Sequence, residues 1–127
     1  VAIKQRYPGH AVQAGHIAAM CHAGAYLGRF VIVVDEDIDV SNLEEVIWAT
    51  CTRCDPVTNI EFIKNAWSSA LDPIISPSDR EKGKLYNSRA IINACRPFHW
   101  KENFQKVNAP SPAARHDAWD KWGFLRD

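Results

Sequence analysis

The sequence predicts an α/β domain in which a mixed or parallel sheet is flanked by helices and followed by an extended aromatic tail and a last helix. Apolar runs of strand type alternate along the chain with segments of helical periodicity, and parallel strands need such helical crossovers between them. Apolar residues make up 46% of the chain and charged residues 24%, which is typical of a globular protein. The length of 127 residues predicts a single domain spanning residues 1–127.

An opening strand and a helix are predicted for the start of the chain. Val1, Ile3 and Gln5 alternate with other residues, as in a short strand, before Pro8-Gly9 interrupts the pattern. Residues 10 to about 25 are rich in alanine and predict a helix. Small residues recur there at helical spacing, namely Ala11, Ala14, Ala18 and Cys21. We expect this small-residue face to let the helix approach a sheet closely.

A buried strand and a capped helix are predicted next. Residues 30–34 form an unbroken apolar run, typical of a central strand that is covered on both faces. Ser41 and Glu44 have the spacing of a capping box, which predicts a helix start at this point. Helical periodicity then continues until Asp55-Pro56, so the helix is expected to end near Arg53.

The second half of the chain is predicted to contain two strands, a long loop and a last helix. The strands are residues 60–63 and 89–94, and the loop covers roughly residues 67 to 87. Loops of this length are usually functional or mobile. Ser111-Pro112 is typical of a helix start, and Gly123 of a helix end. The aromatic residues of the tail predict that it docks on a neighbouring surface; they are Trp100, Trp119, Trp122 and Phe124.

Charge and hydropathy argue against two classes of partner. Lysine plus arginine and aspartate plus glutamate both number 15, so no excess of positive charge is available for nucleic acid or an anionic membrane surface. The apolar runs are much shorter than the roughly 20 residues that cross a bilayer. The four cysteines lack the regular pattern of a disulfide scaffold. We therefore expect a soluble, cytoplasmic domain, cut from a longer protein, that binds neither nucleic acid nor membrane.

Cysteine and histidine patterns in the chain offer weak indications of chemistry. Cys51 and Cys54 have the spacing of a thiol redox motif or of half a zinc site. They lie near a predicted helix C-terminus, whereas redox pairs use the N-terminus, where the thiol pKa is lowered. We expect these cysteines to pack in the interior. His10, His16 and His22 are spaced six residues apart, so on one helix they would point in different directions and could not share a metal.

An acidic cluster follows the predicted central strand and consists of Asp35, Glu36, Asp37 and Asp39. The carboxyl ends of strands are where α/β sheets usually bind ligands, so one interpretation is a site for a divalent ion. The interpretation that we favour is that these acids cap the following helix and complement its positive N-terminus. Local patterns alone therefore predict an α/β domain without a defined activity.

The segment around this cluster resembles the UbiD decarboxylases. The matching blocks are VIVVDEDIDV at residues 31–40, EVIWA at 45–49 and TRCDP at 52–56, and the similarity extends from about residue 24 to 73. Weaker similarity occurs at Gly83-Lys84 and at residues 91–97. The resemblance implies the C-terminal domain of a larger enzyme, a domain that mediates dimerisation and closes over the active site. The N-terminal domain of such enzymes binds the flavin.

By this resemblance, the whole enzyme would remove carbon dioxide reversibly from an aromatic or α,β-unsaturated carboxylic acid. It would use prenylated FMN with a divalent metal, Mn or Mg, and K+. The catalytic arginine, the two glutamates and the metal ligands of the family lie in the N-terminal domain. No catalytic or metal-binding residue is therefore assigned to this chain, and neither a bound cofactor nor activity is expected of the chain alone.

Four residues are implied at the active site by the same resemblance. His22, in His22-Ala23-Gly24, stands where family members have a lysine that reaches the cofactor phosphate. Tyr26, Ser69 and Leu71 are similar in position to residues that line the substrate pocket. Ordinary loop packing is the alternative for each of them. For the whole chain, the alternatives are an oligomerisation module without a role in the pocket and a small thiol or zinc-binding domain.

Overall fold

A mixed four-stranded sheet organises the chain in the computed structural model, which describes residues 1–108 and 110–126. The strand order is β1-β2-β4-β3; β1, β2 and β4 are parallel, and β3 runs antiparallel to β4. The strands are β1 (Ala2–Ile3), β2 (Phe30–Asp35), β3 (Ile60–Trp67) and β4 (Tyr86–Ala94). The predicted α/β class with a mixed sheet and a central 30–34 strand is therefore confirmed.

Helices cover both faces of the sheet. They are α1 (His10–Met20), α2 (His22–Ala25), α3 (Leu43–Arg53), α4 (Pro77–Glu81) and α5 (Pro112–Trp122), with 3-10 turns at Phe98–Asn103 and Gly123–Arg126. Successive side chains of a strand point to opposite faces. Val33 accordingly packs with Ala11 of α1, while Val34 packs with Ala49 of α3. Two thin apolar layers therefore enclose β2 and β4, the inner strands of the sheet.

The predicted helix over residues 10–25 is two helices. Cys21 adopts an extended conformation with ψ 159°, which ends α1 and starts the short α2. The buried face of α1 is the row Ala11, Gly15 and Ala19. This row replaces the predicted one through Ala14, Ala18 and Cys21, and Cys21 is exposed.

Gly15 explains why α1 lies so close to the sheet. A Cβ atom at this position would lie 2.3 Å from Cγ2 of Ile91, inside any normal contact distance. Ile91 is buried in β4 and is branched at Cβ, so its side chain has little freedom to move away. The expectation of close approach through small residues is confirmed, although the closest residue is a glycine that the predicted row did not include.

The start of α3 differs by one residue from the prediction. Asn42 is the N-cap, and its Oδ1 accepts a hydrogen bond from the Glu44 backbone N–H at 3.1 Å. The N–H and hydroxyl of Ser41 instead donate to the Asp39 carboxylate, at 2.9 and 2.7 Å. The predicted Ser41–Glu44 capping box is therefore wrong, while the predicted end of the helix at Arg53 is confirmed.

Replacing Asn42 by alanine should lower the free energy of unfolding by about 0.5 to 2 kcal/mol, because one orphan N–H of the first turn loses its acceptor. Ser41→Ala is the matched control and should cost less, since Ser41 bonds only to an exposed side chain. Urea denaturation midpoints of the two variants give the comparison. A larger loss for Ser41→Ala would contradict the assignment of the cap.

The segment between β3 and β4 is ordered rather than a plain loop. β3 continues to Trp67 through a bulge in which Asn65 has a φ of 57°, and β4 begins at Tyr86. Residues 77–81 form α4, capped by the Ser76 hydroxyl, which accepts from the Asp79 N–H at 3.2 Å. The predicted strands 60–63 and 89–94 are confirmed in place, but both are longer than predicted.

The tail ends in α5, which starts after Ser111 with Pro112 in its first turn and has Gly123 as its C-cap, as predicted. Its most extensive contacts are with the 3-10 turn that follows it. Trp122 and Phe124 are exposed on this helix and turn. Docking of the tail on a neighbour remains a prediction. Within residues 1–108 and 110–126, no helix combines the length and the apolar character that a membrane crossing requires.

Candidate functional site

The topology separates the two ends of the sheet. The carboxyl ends of the parallel strands β1, β2 and β4 lie at one end, where the acidic cluster follows β2. The opposite end contains the starts of β2 and β4 and, because β3 is antiparallel, also the end of β3. The residues that the family resemblance implies in the pocket lie at this second end, on α2 and on the segment after β3.

His22, Tyr26, Ser69 and Leu71 come together although more than 40 positions separate the first pair from the second. The Tyr26 carbonyl accepts a hydrogen bond from the Ser69 N–H at 3.1 Å. The Ser69 hydroxyl in turn accepts from the Leu71 N–H at 3.1 Å. His22 Nε2 lies 3.4 Å from the Tyr26 hydroxyl. The Tyr26 ring and the Leu71 side chain remain accessible, at 43% and 81% exposure.

Trp67 belongs to the same surface and was missed in the sequence. Its ring packs edge-on against that of Tyr26, with centroids 5.4 Å apart, and 53% of the residue is exposed. The available signal was an aromatic residue two positions before Ser69, but the sequence placed it only at the start of a loop. We call the group His22, Tyr26, Trp67, Ser69 and Leu71 the Tyr26 surface. It offers aromatic and aliphatic contact area with few polar groups.

A fully buried carboxylate lies beneath the Tyr26 surface. Asp72 accepts hydrogen bonds from the Ser68 hydroxyl at 2.9 Å, from the Asn87 amide at 2.8 Å and from the guanidinium of Arg29. Burial alone would raise the pKa of Asp72, but the hydrogen bonds from Asn87, the Ile74 N–H, Ser68 and Arg29 outweigh it and hold the pKa well below its ordinary value. The side chain is therefore ionised at neutral pH.

A buried guanidinium lies beside this carboxylate. Arg89 donates to main-chain carbonyls at the ends of three elements: Ala19 of α1, Gly24 and Ala25 of α2, and Trp67 of β3. The carbonyls of a helix C-terminus lack partners within the helix and carry partial negative charge, so they suit a cation. The Nε of Arg89 also lies 3.4 Å from Oδ1 of Asn87, which links Arg89 to Asp72. The sequence had placed Arg89 only at the start of a strand.

The Tyr26 surface offers a flavin phosphate few polar partners, and His22 is the one that the family resemblance implies. His22 is exposed, and its imidazole is the polar group at the position where the family resemblance implies a phosphate contact. One imidazole can donate a single hydrogen bond to a phosphate oxygen, and it carries charge only when protonated. The residues of the Tyr26 surface could therefore supply only a small share of the contacts that a flavin phosphate needs.

At the opposite end of the sheet, the acidic cluster pairs with two arginines. Asp35 is buried and accepts from the Gln5 amide at 2.7 Å, from Arg96 Nε at 3.1 Å and from Arg53 at 3.4 Å. The Asp37 carboxylate accepts hydrogen bonds from both NH1 and NH2 of Arg53, at 3.0 and 2.9 Å, and these bonds lower the pKa of Asp37. The favoured interpretation of these acids as caps of α3 is therefore wrong for Asp35 and Asp37.

Among the side chains that the structure describes, no group of three or more His, Cys, Asp or Glu residues has an arrangement that could hold a metal ion. Cys54 is partly buried, and burial together with the nearby Asp55 raises the pKa of its thiol. Cys51 is exposed, so the expectation that it packs in the interior is wrong. A raised thiol pKa disfavours the reactive thiolate. Beside this end lies an open cleft of about 670 Å³, lined in part by Arg53, Arg96 and Trp100.

Comparison with known proteins finds relatives for almost the whole chain. The phenolic acid decarboxylase of Sedimentibacter hydroxybenzoicus is 29% identical over 121 residues, which cover 95% of this chain and 24% of that protein. A protein of Aeropyrum pernix without a described function is 30% identical over 126 residues, covering 97% of this chain and 24% of its own length. This chain thus spans about a quarter of the relatives that it matches.

Solved structures show the same fold. The vanillic acid decarboxylase of Sedimentibacter hydroxybenzoicus in its closed form matches with a TM-score of 0.70 and 28% identity, over 99% of this chain and 26% of that one. The UbiD-class enzyme HmfF from Pelotomaculum thermopropionicum, in complex with FMN, matches with a TM-score of 0.69 and 26% identity, over 98% of this chain and 24% of that one. Residues 1–94 match the family described as the C-terminal domain of 3-octaprenyl-4-hydroxybenzoate carboxy-lyase. The chain therefore belongs to the UbiD family, in which it corresponds to the C-terminal domain.

Proposed function

We propose that this chain completes the active site of a decarboxylase that acts on an aromatic or α,β-unsaturated carboxylic acid. The observation that carries the proposal is the convergence of His22, Tyr26, Ser69 and Leu71 on one accessible surface. The names of the relatives support this reaction class, since one is a phenolic acid decarboxylase and another a vanillic acid decarboxylase. In this proposal Tyr26 and Leu71 contact the substrate, Ser69 fixes the loop beside them, and His22 faces the cofactor.

The chemistry of such a surface is binding and exclusion of water. Aromatic and aliphatic side chains pack against a planar substrate ring, and a few convergent polar groups fix its orientation. Bound prenylated flavin would supply the carbanion-type chemistry of carbon dioxide loss. This chain would enclose the reacting acid and hold His22 near the cofactor phosphate. Proton transfer and the binding of the divalent metal and K+ would fall to the N-terminal domain.

The same proposal includes two protein partners. The Tyr26 surface would face the enzyme's own N-terminal domain, because a substrate bound on an open surface needs a second wall to exclude water. Self-association is proposed for the aromatic tail, where Trp122 and Phe124 are exposed. Exposed aromatic side chains of this kind are typical of protein interfaces. A cytoplasmic location is part of the proposal as well.

The complete protein that carries this chain, loaded with prenylated FMN, should release carbon dioxide from at least one aromatic or α,β-unsaturated acid. Residues 1–127 alone should release none, because the proposal assigns the acid-base residues to the other domain. Carbon dioxide and product are quantified for a panel of acids with each protein. Release by residues 1–127 alone would contradict the proposal, as would a fully loaded complete protein that is inactive on the whole panel.

A further inference from the structure

Among the described residues, the two apolar core clusters of the sheet include none of the five residues of the Tyr26 surface. Tyr26 follows α2, Trp67 ends β3, and Ser69 and Leu71 lie on the irregular segment after it. Their side chains are largely exposed rather than packed in the interior. The buried residues Ala66 and Ile75 anchor part of these segments. Hydrogen bonds from the buried polar residues beneath the surface must supply the rest of their relative positioning, because the surface side chains themselves contribute little apolar burial.

Arg89 supplies these bonds on the α2 side. Its NH2 donates to the Ala25 carbonyl at 2.8 Å and also to the Trp67 carbonyl, so one guanidinium nitrogen joins the end of α2 to the end of β3. Its NH1 bonds the end of α1 and Gly24. A guanidinium holds its donors in a rigid planar fork, whereas a lysine offers a single ammonium and cannot reach all of these acceptors at once.

Asp72 supplies the bonds on the loop side. The Ser68 hydroxyl lies within donating distance of both the Asp72 carboxylate, at 2.9 Å, and the Tyr26 carbonyl, at 3.0 Å, so its single proton is shared between these two acceptors. The Asn87 amide lies between Asp72 and Arg89 and contacts both. Opposite buried charges are thus connected through one amide. Arg89 bonds the Ala25 carbonyl, next to Tyr26, while Asp72 directly follows Leu71 in the chain and accepts from the Ile74 N–H at 3.2 Å. Ser68, Asp72 and Arg89 are all buried, at 0%, 0% and 2% exposure.

A second buried arginine in the chain gives a contrast. The Arg53 side chain is also 2% exposed, but it bonds the carboxylates of Asp35 and Asp37 at the opposite end of the sheet. It makes no hydrogen bond to any residue of the Tyr26 surface among its described contacts. Both arginines stabilise the fold, but only Arg89 lies where a shift would move Tyr26 relative to Leu71.

We infer that Arg89 and Asp72 form a buried positioning network that sets the spacing between Tyr26 and Leu71, and with it the size of substrate ring that the site accepts. The inference rests on the proposed function, because it assigns these side chains to the substrate wall. Arg89 and Asp72 touch neither substrate nor cofactor; they act through the backbone of the residues that do. Weakening the network should change discrimination between acids more than it changes flavin binding.

The test compares Arg89→Lys with Arg53→Lys in the complete flavin-loaded protein. Both variants should lower the urea midpoint. Only Arg89→Lys should accelerate hydrogen exchange of the Ser69 amide, which bonds the Tyr26 carbonyl, by about tenfold or more relative to the core amide of Val34. The same variant should change the ranking of kcat/KM across aromatic acids of different size more than it changes flavin absorbance per protein. Arg53→Lys should leave the exchange ratio and the ranking unchanged.

Ser68→Ala covers the case in which Arg89→Lys does not fold, since it removes one hydroxyl and leaves both charges in place. It should change the exchange ratio and the ranking in the same direction. Unchanged ratios in the network variants, or an equal change of ranking in Arg53→Lys, would overturn the inference. If the unmodified protein is inactive, the proposed function fails. The exchange ratios then still decide whether Arg89 and Asp72 hold Tyr26 and Ser69 together.

Discussion

Asp72→Ala should lower the free energy of unfolding by about 3 to 5 kcal/mol, the cost typical of removing one partner from a buried ion pair. The carboxylate is fully buried and accepts from Arg29, Ser68 and Asn87. Without it, the buried Asn87 amide loses an acceptor that water cannot replace, and the partly exposed Arg29 guanidinium loses its ion-pair partner. Urea denaturation at neutral pH, followed by tryptophan fluorescence, measures the loss.

Asp117→Ala is the matched control for this variant. Asp117 pairs with Lys121 at 3.0 Å on the surface of α5, with 65% of its side chain exposed. Exposed pairs of this kind contribute little, so the control should cost less than about 1 kcal/mol. Equal losses for Asp72→Ala and Asp117→Ala would contradict a structural role for the buried network.

The depressed pKa of Asp72 also sets a dependence of stability on pH. A carboxyl group whose pKa is lower in the folded than in the unfolded protein stabilises the fold above its unfolded pKa of about 4. That contribution is lost as the pH falls further and Asp72 becomes protonated in the unfolded and then in the folded protein. Asp72→Asn should therefore flatten the fall of stability between neutral pH and about pH 3.

Elements of regular periodicity could be predicted from the sequence. The apolar run at residues 30–34 indicated a central strand because both of its faces are covered by helices, and Ser111-Pro112 marked the start of α5 because capping and proline preferences are local. The predicted N-cap of α3, Ser41, was wrong by one residue, because the cap is Asn42. Ser41 and Asn42 both have side chains that can cap a helix. The Ser41 hydroxyl donates to the Asp39 carboxylate, and Asn42 is the residue that accepts from the first turn.

The buried polar network could not be predicted in the same way. Arg89 reads as a polar residue at the start of a strand. Three of its carbonyl acceptors lie more than 60 positions away and the fourth lies 22 positions away, and they come together only in the fold. Asp35 and Asp37 read as helix caps because their partners, Arg53 and Arg96, lie on other elements. Four residues of the Tyr26 surface were predicted from the family resemblance alone, and no local sequence pattern indicated them. The structure adds Trp67 to this surface, through contact with the Tyr26 ring.

Tyr26→Ala and Leu71→Ala in the complete enzyme should redistribute activity among aromatic acids of different size. A change of side-chain volume in an apolar pocket typically alters discrimination by about 10- to 200-fold in kcat/KM. Flavin occupancy should persist in both variants, since neither residue is assigned to the cofactor. His22→Ala should lower flavin occupancy instead, with little change in substrate ranking, because the proposal places its imidazole at the phosphate.

The most direct test of the proposed substrate wall is the ranking of kcat/KM across a panel of aromatic acids for Leu71→Ala beside Leu43→Ala. Leu43 is the matched control, because it is also an exposed leucine, 71% accessible, and lies on α3, away from the Tyr26 surface. We predict that Leu71→Ala shifts the ranking towards larger rings by about tenfold or more while Leu43→Ala leaves it unchanged. Identical rankings for both variants and the unmodified enzyme would contradict the placement of this surface at the substrate.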